Sequence, residues 1–220
     1  MYGSGGVEGA GFPGAVVGLF ETHVTVGTPD VDGLVRWAAG AGVGVTHIVL
    51  ARGRTVSQPM VTERSTTTLR AARERAAELA EVLRRGGHRV TRTKIEVAPS
   101  HPGVPRTDAR ARELGTGMYF EHHVKLVLAE GAAESGGLVA EVERHGAHLS
   151  YNARRVRADG RAERFVTQRC HGVGDVAATR AAKDLVAALA AYEIASVERE
   201  FVVFDDNGSL DDGWLGARSG

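Results

Sequence analysis

Apolar and polar residues alternate through Leu19–Val26 (LFETHVTV), and again through Met118–Leu128 (MYFEHHVKLVL). Period-two alternation predicts strands that bury one face. Between Leu69 and Leu83 the period changes. Leu69, Ala72, Ala76, Leu79 and Leu83 recur at helical spacing, and Gly86-Gly87 stops the helix. A shorter helix is predicted after Asp30 or Asp32, either of which can cap it, with Val31, Leu34, Val35 and Ala38 on its apolar side. The segments VTHIVLARG, PMVTERS and RVTRTKIEVAP complete a β-α-β-β-α-β order.

The second half of the chain repeats that order. Its strands are MYFEHHVKLVL, LSYNARRVRADG, ERFVTQRC and IASVEREFVVFD, and its helices are SGGLVAEVERHG and DVAATRAAKDLVAALAAY. FETHVTV at 20–26 returns as FEHHVKL at 120–126, an offset of 100. Thr62 matches Thr167 at an offset of 105, and Glu96 matches Glu200 at 104. Offsets that drift by only a few residues point to duplication with small loop changes. The expected fold is α+β: a tandem duplication of the ferredoxin-like unit, giving two antiparallel four-stranded sheets with helices on one face of each. The expected organisation is a flexible glycine-rich N-terminus (1–16), repeat 1 (17–99), a linker (100–117), repeat 2 (118–206) and a C-terminal tail (207–220). Pro99 at the end of repeat 1, Pro102 and Pro105 in the linker, and the linker's glycines argue against a regular element there. In the tail, Trp214 is expected to dock as an apolar anchor.

Alternation also sorts the chemistry. Phe20, Val24 and Val26 share the helix-covered face with Phe120, Val124 and Leu126 as counterparts. The open face receives Glu21, His23 and Thr25, mirrored by Glu121, His123 and Lys125. The last strand of each repeat adds Lys94 and Glu96, or Glu198 and Glu200. Thr62 and Arg64, like Thr167 and Arg169, share one face of strand 3, which alternation does not assign. The recurrence of Glu-x-His at equivalent places points to a cleft shared by the two open faces, not to a plain solvated surface.

Composition narrows the setting. Lys+Arg and Asp+Glu are 27 each, so no global field draws the protein to nucleic acid or a membrane. Cys170 is the only cysteine, which excludes an intramolecular disulfide and a cysteine zinc cluster and fits a reducing compartment. No apolar run approaches the roughly 20 residues of a spanning helix, and the N-terminus lacks the basic start of a signal peptide. The expected location is the cytoplasm, with no membrane partner and an oligomeric state that the sequence leaves open.

His23-Val24-Thr25-Val26 has the form His-apolar-Thr-apolar and resembles the motif of the 2H phosphoesterases, which are also internally duplicated. His123 heads the second copy, where Lys125 stands in place of Thr or Ser. The resemblance implies metal-free acid–base cleavage of a small phosphorylated or nucleotide-like cyclic phosphate, including an RNA end, with no cofactor. His23 and His123 would be the acid–base pair. Thr25, Lys125, Lys94, Arg169, Thr62 and Thr167 would hold the anion, and Glu21, Glu121, Glu96 and Glu200 would orient the histidines.

Two alternatives follow from the residues themselves. Glu21, His23 and Glu96, mirrored by Glu121, His123 and Glu200, could ligate iron, manganese or zinc as a divalent cofactor, although Lys94 beside the site opposes a second cation. Alternatively, the pair of repeats binds a small anionic ligand without turnover.

Overall fold

The computed structural model describes residues 11–129, 136–155 and 157–214. The first ten residues of the glycine-rich lead and the last six of the tail lie outside them. The alternating segments form eight strands: β1 (Val17–Gly27), β2 (Gly44–Leu50), β3 (Ser57–Thr68), β4 (Arg89–Val97), β5 (Tyr119–Leu128), β6 (Ala147–Asn152), β7 (Ala162–His171) and β8 (Glu193–Asp205). Among the described residues five α-helices accompany them: α1 (Val31–Ala41), α2 (Leu69–Arg85), α3 (Asp108–Leu114), α4 (Gly136–Arg144) and α5 (Asp175–Ala188).

Local chemistry fixes the helix ends. The Asp30 carboxylate accepts from the Gly33 amide at the start of α1, and Gly42 closes that helix with φ of 70°. The Thr68 hydroxyl accepts from the Ala71 amide at the start of α2. The linker differs from the sequence expectation, because α3 forms within it. The cause is local: Pro99, Pro102 and Pro105 all precede the helix, and Thr107 caps it by accepting from the Arg110 amide.

Each repeat keeps the ferredoxin-like strand order, β4-β1-β3-β2 and β8-β5-β7-β6, with every ladder antiparallel. The duplicated α+β architecture is therefore as expected. The two sheets are halves of one closed barrel, because β2 pairs with β6 and β4 with β8. A lone four-stranded sheet would leave two edges of unpaired backbone groups, and joining edge to edge satisfies both.

The helix-side core is buried between barrel and helices. Val24, Val26, Leu34, Val61, Ala80 and Leu83 pack in repeat 1, and Val124, Leu126, Leu138, Val142 and Leu185 in repeat 2. A third cluster bridges the repeats along the β4–β8 seam. There Phe120 and Phe201 lie 4.8 Å apart, Phe20 is fully buried, and Ala72 of α2 and Ala178 of α5 pack on the same cluster. Phe12 joins this cluster against Phe201. The continuous outer core holds the two inner faces in register around one hollow.

Candidate functional site

On β1, β4, β5 and β8 the residues that alternate with the outer core point into the barrel. They include Glu21 and His23 on β1, Lys94 and Glu96 on β4, Glu121 and His123 on β5, and Glu198 and Glu200 on β8. The orientation of β3 is now fixed as well. Thr62 meets His23 across the β1–β3 ladder and Arg64 meets Glu21, so this face is interior. The hollow has a volume of about 240 Å³. Its charged wall faces an apolar one made by Ile48, Leu50, Met60, Phe165 and Trp214.

The floor is an interlocked set of ion pairs. Arg92 holds Asp205 through Nε and Nη2 (2.9 and 2.7 Å) and Asp211 through Nη1 (2.8 Å), and it donates to the Tyr119 hydroxyl (3.1 Å). Arg169 grips Glu121 Oε1 at 2.6 Å and Asp211 Oδ2 at 2.8 Å. Lys94 pairs with both Glu96 and Glu121, which links repeat 1 to repeat 2 inside the barrel. Burial opposes the charge on Lys94, but Glu121 and Glu96 outweigh it and raise its pKa above that of an ordinary lysine. Burial likewise opposes the charge on Glu96, yet Lys94 and then His23 hold its pKa down to about 2. The Gln58 amide donates to Asp211, and Trp214 closes this end with its indole N–H on the Leu149 carbonyl.

The two histidines occupy equivalent places in unequal environments. Each Nδ1 lies 3.0 Å from a threonine hydroxyl, Thr62 for His23 and Thr167 for His123. His23 Nε2 makes a 2.9 Å hydrogen bond with Glu96 Oε2. His123 Nε2 lies 3.5 Å from Glu121 Oε2 and 3.6 Å from Glu200 Oε2, beyond ordinary hydrogen-bond length. Burial disfavours the charged His123 ring, and these two carboxylates overcome it, raising its pKa to about 10. The Glu200 carboxyl is pushed up by burial and by Glu96. The asymmetry traces to one substitution between the repeats: Lys94 on β4 corresponds to Glu198 on β8, so repeat 1 carries its own cation and repeat 2 does not.

Of the residues singled out from sequence, Glu21, His23, Thr25, Lys94, Glu96, Glu121, His123, Thr167, Arg169 and Glu200 line the hollow. Thr62 stands behind His23. Lys125 is drawn instead to Glu163 at 2.9 Å. Sequence reasoning missed Arg92, Tyr119, Asp205 and Asp211. A signal existed for Arg92, which lies two residues before Lys94 and so on the same face.

Neither a protein-family model nor a curated protein matches the chain. Solved structures do align with it. One is described as the acetolactate synthase small subunit from Thermotoga maritima, at 10% identity over 84% of this chain and 94% of that one, with a TM-score of 0.28. Another is a putative glycine cleavage system transcriptional repressor, at 12% identity over 83% and 95%, with a TM-score of 0.27. A third is the regulatory subunit of aspartate kinase from Thermus thermophilus, at 17% identity over 79% and 98%, with a TM-score of 0.31.

The expected resemblance to the 2H phosphoesterases is corrected by the engagement of its own residues. The site itself gives the physical reason. Two of the three threonine hydroxyls meant for phosphoryl oxygens, those of Thr62 and Thr167, are engaged by the imidazoles. His23 Nε2 is tied to Glu96, and Lys125 is held away by Glu163. Hydrolysis of a cyclic phosphate by a His23/His123 pair, and recognition of an RNA end, fall with that resemblance. No helix among the described residues is long and apolar enough to cross a membrane.

Proposed function

We propose that the protein is a small-ligand-binding barrel that holds its ligand without turning it over. One observation supports this above the rest: the hollow of about 240 Å³, with a charged wall locked by ion pairs opposite an apolar wall. At about 30 Å³ per water, that space equals roughly eight waters. Such a site is preformed, so little ordering is needed on binding.

The same locking argues against turnover. Cys170 is opposite Phe120 on the helix side, with its thiol pKa pushed up by burial to about 11. Each histidine has carboxylates around Nε2 and a hydroxyl on Nδ1.

The ligand class that fits has an apolar body against Ile48, Met60 and Phe165 and an anionic group. Arg64 at the mouth is the lining cation freest to meet that group, because its side chain is 67% exposed and pairs with Glu21. The test is calorimetric titration of a panel of small carboxylates and phosphates, with mass spectrometry of the recovered ligand. The expected result is saturable one-to-one binding of an unchanged molecule. Binding should weaken about tenfold in Arg64→Ala, a rim charge contact of about 1.4 kcal/mol, and vanish in the cavity-filling variant Ile48→Trp. A chemically altered ligand, or binding indifferent to Ile48→Trp, contradicts the reading.

A further inference from the structure

We propose that Glu121, His123 and Glu200 form a binding site for one divalent transition cation inside the hollow. The cation site goes beyond the ligand-binding reading and stands or fails separately from it. The donor atoms of the three residues all lie within 4.8 Å of one another.

The spacing around His123 is the first argument. Its Nε2 stands 3.5 and 3.6 Å from two carboxylate oxygens, too far for good hydrogen bonds. Metal–ligand bonds of about 2.0–2.2 Å place tetrahedral donors roughly 3.3–3.6 Å apart. Two of the three donor separations therefore already match those around a shared ion, and the third is no more than 4.8 Å. The equivalent His23 has already closed onto Glu96 at 2.9 Å and leaves no such gap.

The support around the donors is the second argument. Thr167 engages Nδ1 of His123, which fixes the ring and leaves Nε2 as the donor. Arg169 holds Glu121 by Oε1, while Oε2 faces His123 and also accepts from the Lys94 ammonium, which a bound cation would have to displace. Glu200 is partly exposed and free to swing by the small amount that would complete the set.

Charge is the third argument. The lining carries six carboxylates against four lysine and arginine side chains, so once a cation displaces the proton that Glu121 and Glu200 hold on His123 the surplus is two negative charges. One divalent ion cancels that surplus. Lys94 touches Glu121 and opposes a nearby cation, and this surplus offsets the repulsion. Repeat 2 has Glu198 where repeat 1 has Lys94, so the acidic half is the half with the gap. One imidazole with two carboxylates suits zinc, manganese or ferrous iron.

The full chain is stripped with a chelator and titrated with Zn²⁺ and with Mn²⁺ by calorimetry, and the bound metal is counted by elemental analysis. One equivalent per chain is expected. Affinity should fall roughly 100-fold or more in His123→Ala and in Glu200→Gln, since each removes a direct ligand. Glu63→Gln, on the outside against Arg75, should change nothing. Circular dichroism confirms folding, and Glu200→Gln decides the matter if His123→Ala does not fold. Absence of stoichiometric metal, or metal retained in Glu200→Gln, overturns the site. The ligand panel run on chelator-treated protein tests the binding reading alone.

Discussion

Arg92 shows how a single side chain sets the character of the interior. It is 5% exposed and spans Asp205, Asp211 and the Tyr119 hydroxyl. Removing it leaves the buried Asp205 carboxylate without its cation and Asp211 with Arg169 alone. Breaking one side of a buried ion pair costs about 3–5 kcal/mol. Arg92→Met should therefore lower the urea-unfolding free energy by about that amount, without shifting the fold's circular dichroism in the absence of urea. A loss well under 1 kcal/mol would mean that the floor is solvated and not interlocked. Lys94 works by the same logic but reaches across repeats, and its replacement by Glu198 in the second copy is the residue-level origin of the unequal histidines.

At the scale of elements, the C-terminal segment acts as the barrel's end plug. A 3-10 turn at Gly208–Asp211 aims Asp211 at Arg92 and Arg169, and Trp214 then packs on His148 with ring centroids 5.8 Å apart. Burial first, and the Arg52 guanidinium second, lower the His148 pKa to about 4 from its ordinary 6.5. The folded state binds that proton less readily than the unfolded chain. Stability linked to His148 is thus fully present above pH 6.5 and is lost as pH falls toward 4. In a Trp37→Phe background, Trp214 fluorescence should change across this window, and His148→Asn should abolish the change. A flat titration would show that His148 does not govern the plug.

The elements themselves were readable from sequence, since alternation and helical period are local signals. Even the docking of Trp214 could be expected. The Arg92–Asp205–Asp211 lattice could not, because its partners are 113 and 119 residues apart and no local pattern pairs them. The helix in the linker was hidden behind prolines that stop just short of it.

For the whole molecule, the decisive event is edge-to-edge closure. The sequence shows two copies and predicts two sheets, but nothing local in β2 or β6 says that these strands pair with each other. Closure turns two open faces into one interior, and that is why the Glu-x-His rows at 21–23 and 121–123 face the same hollow. This also explains why residues around the hollow could be listed from sequence while their partners could not: the Thr62 and Thr167 hydroxyls and the histidine ring nitrogens are engaged across strands. The claim that both repeats build one interior is tested most directly by a double-mutant cycle on Lys94→Met and Glu121→Gln, read by chemical denaturation of metal-free protein. Contacting buried charges couple by about 0.5–3 kcal/mol, whereas independent sites add to within roughly 0.3–0.5 kcal/mol. The account predicts a coupling above 1 kcal/mol between these residues of different repeats, and simple additivity would contradict it.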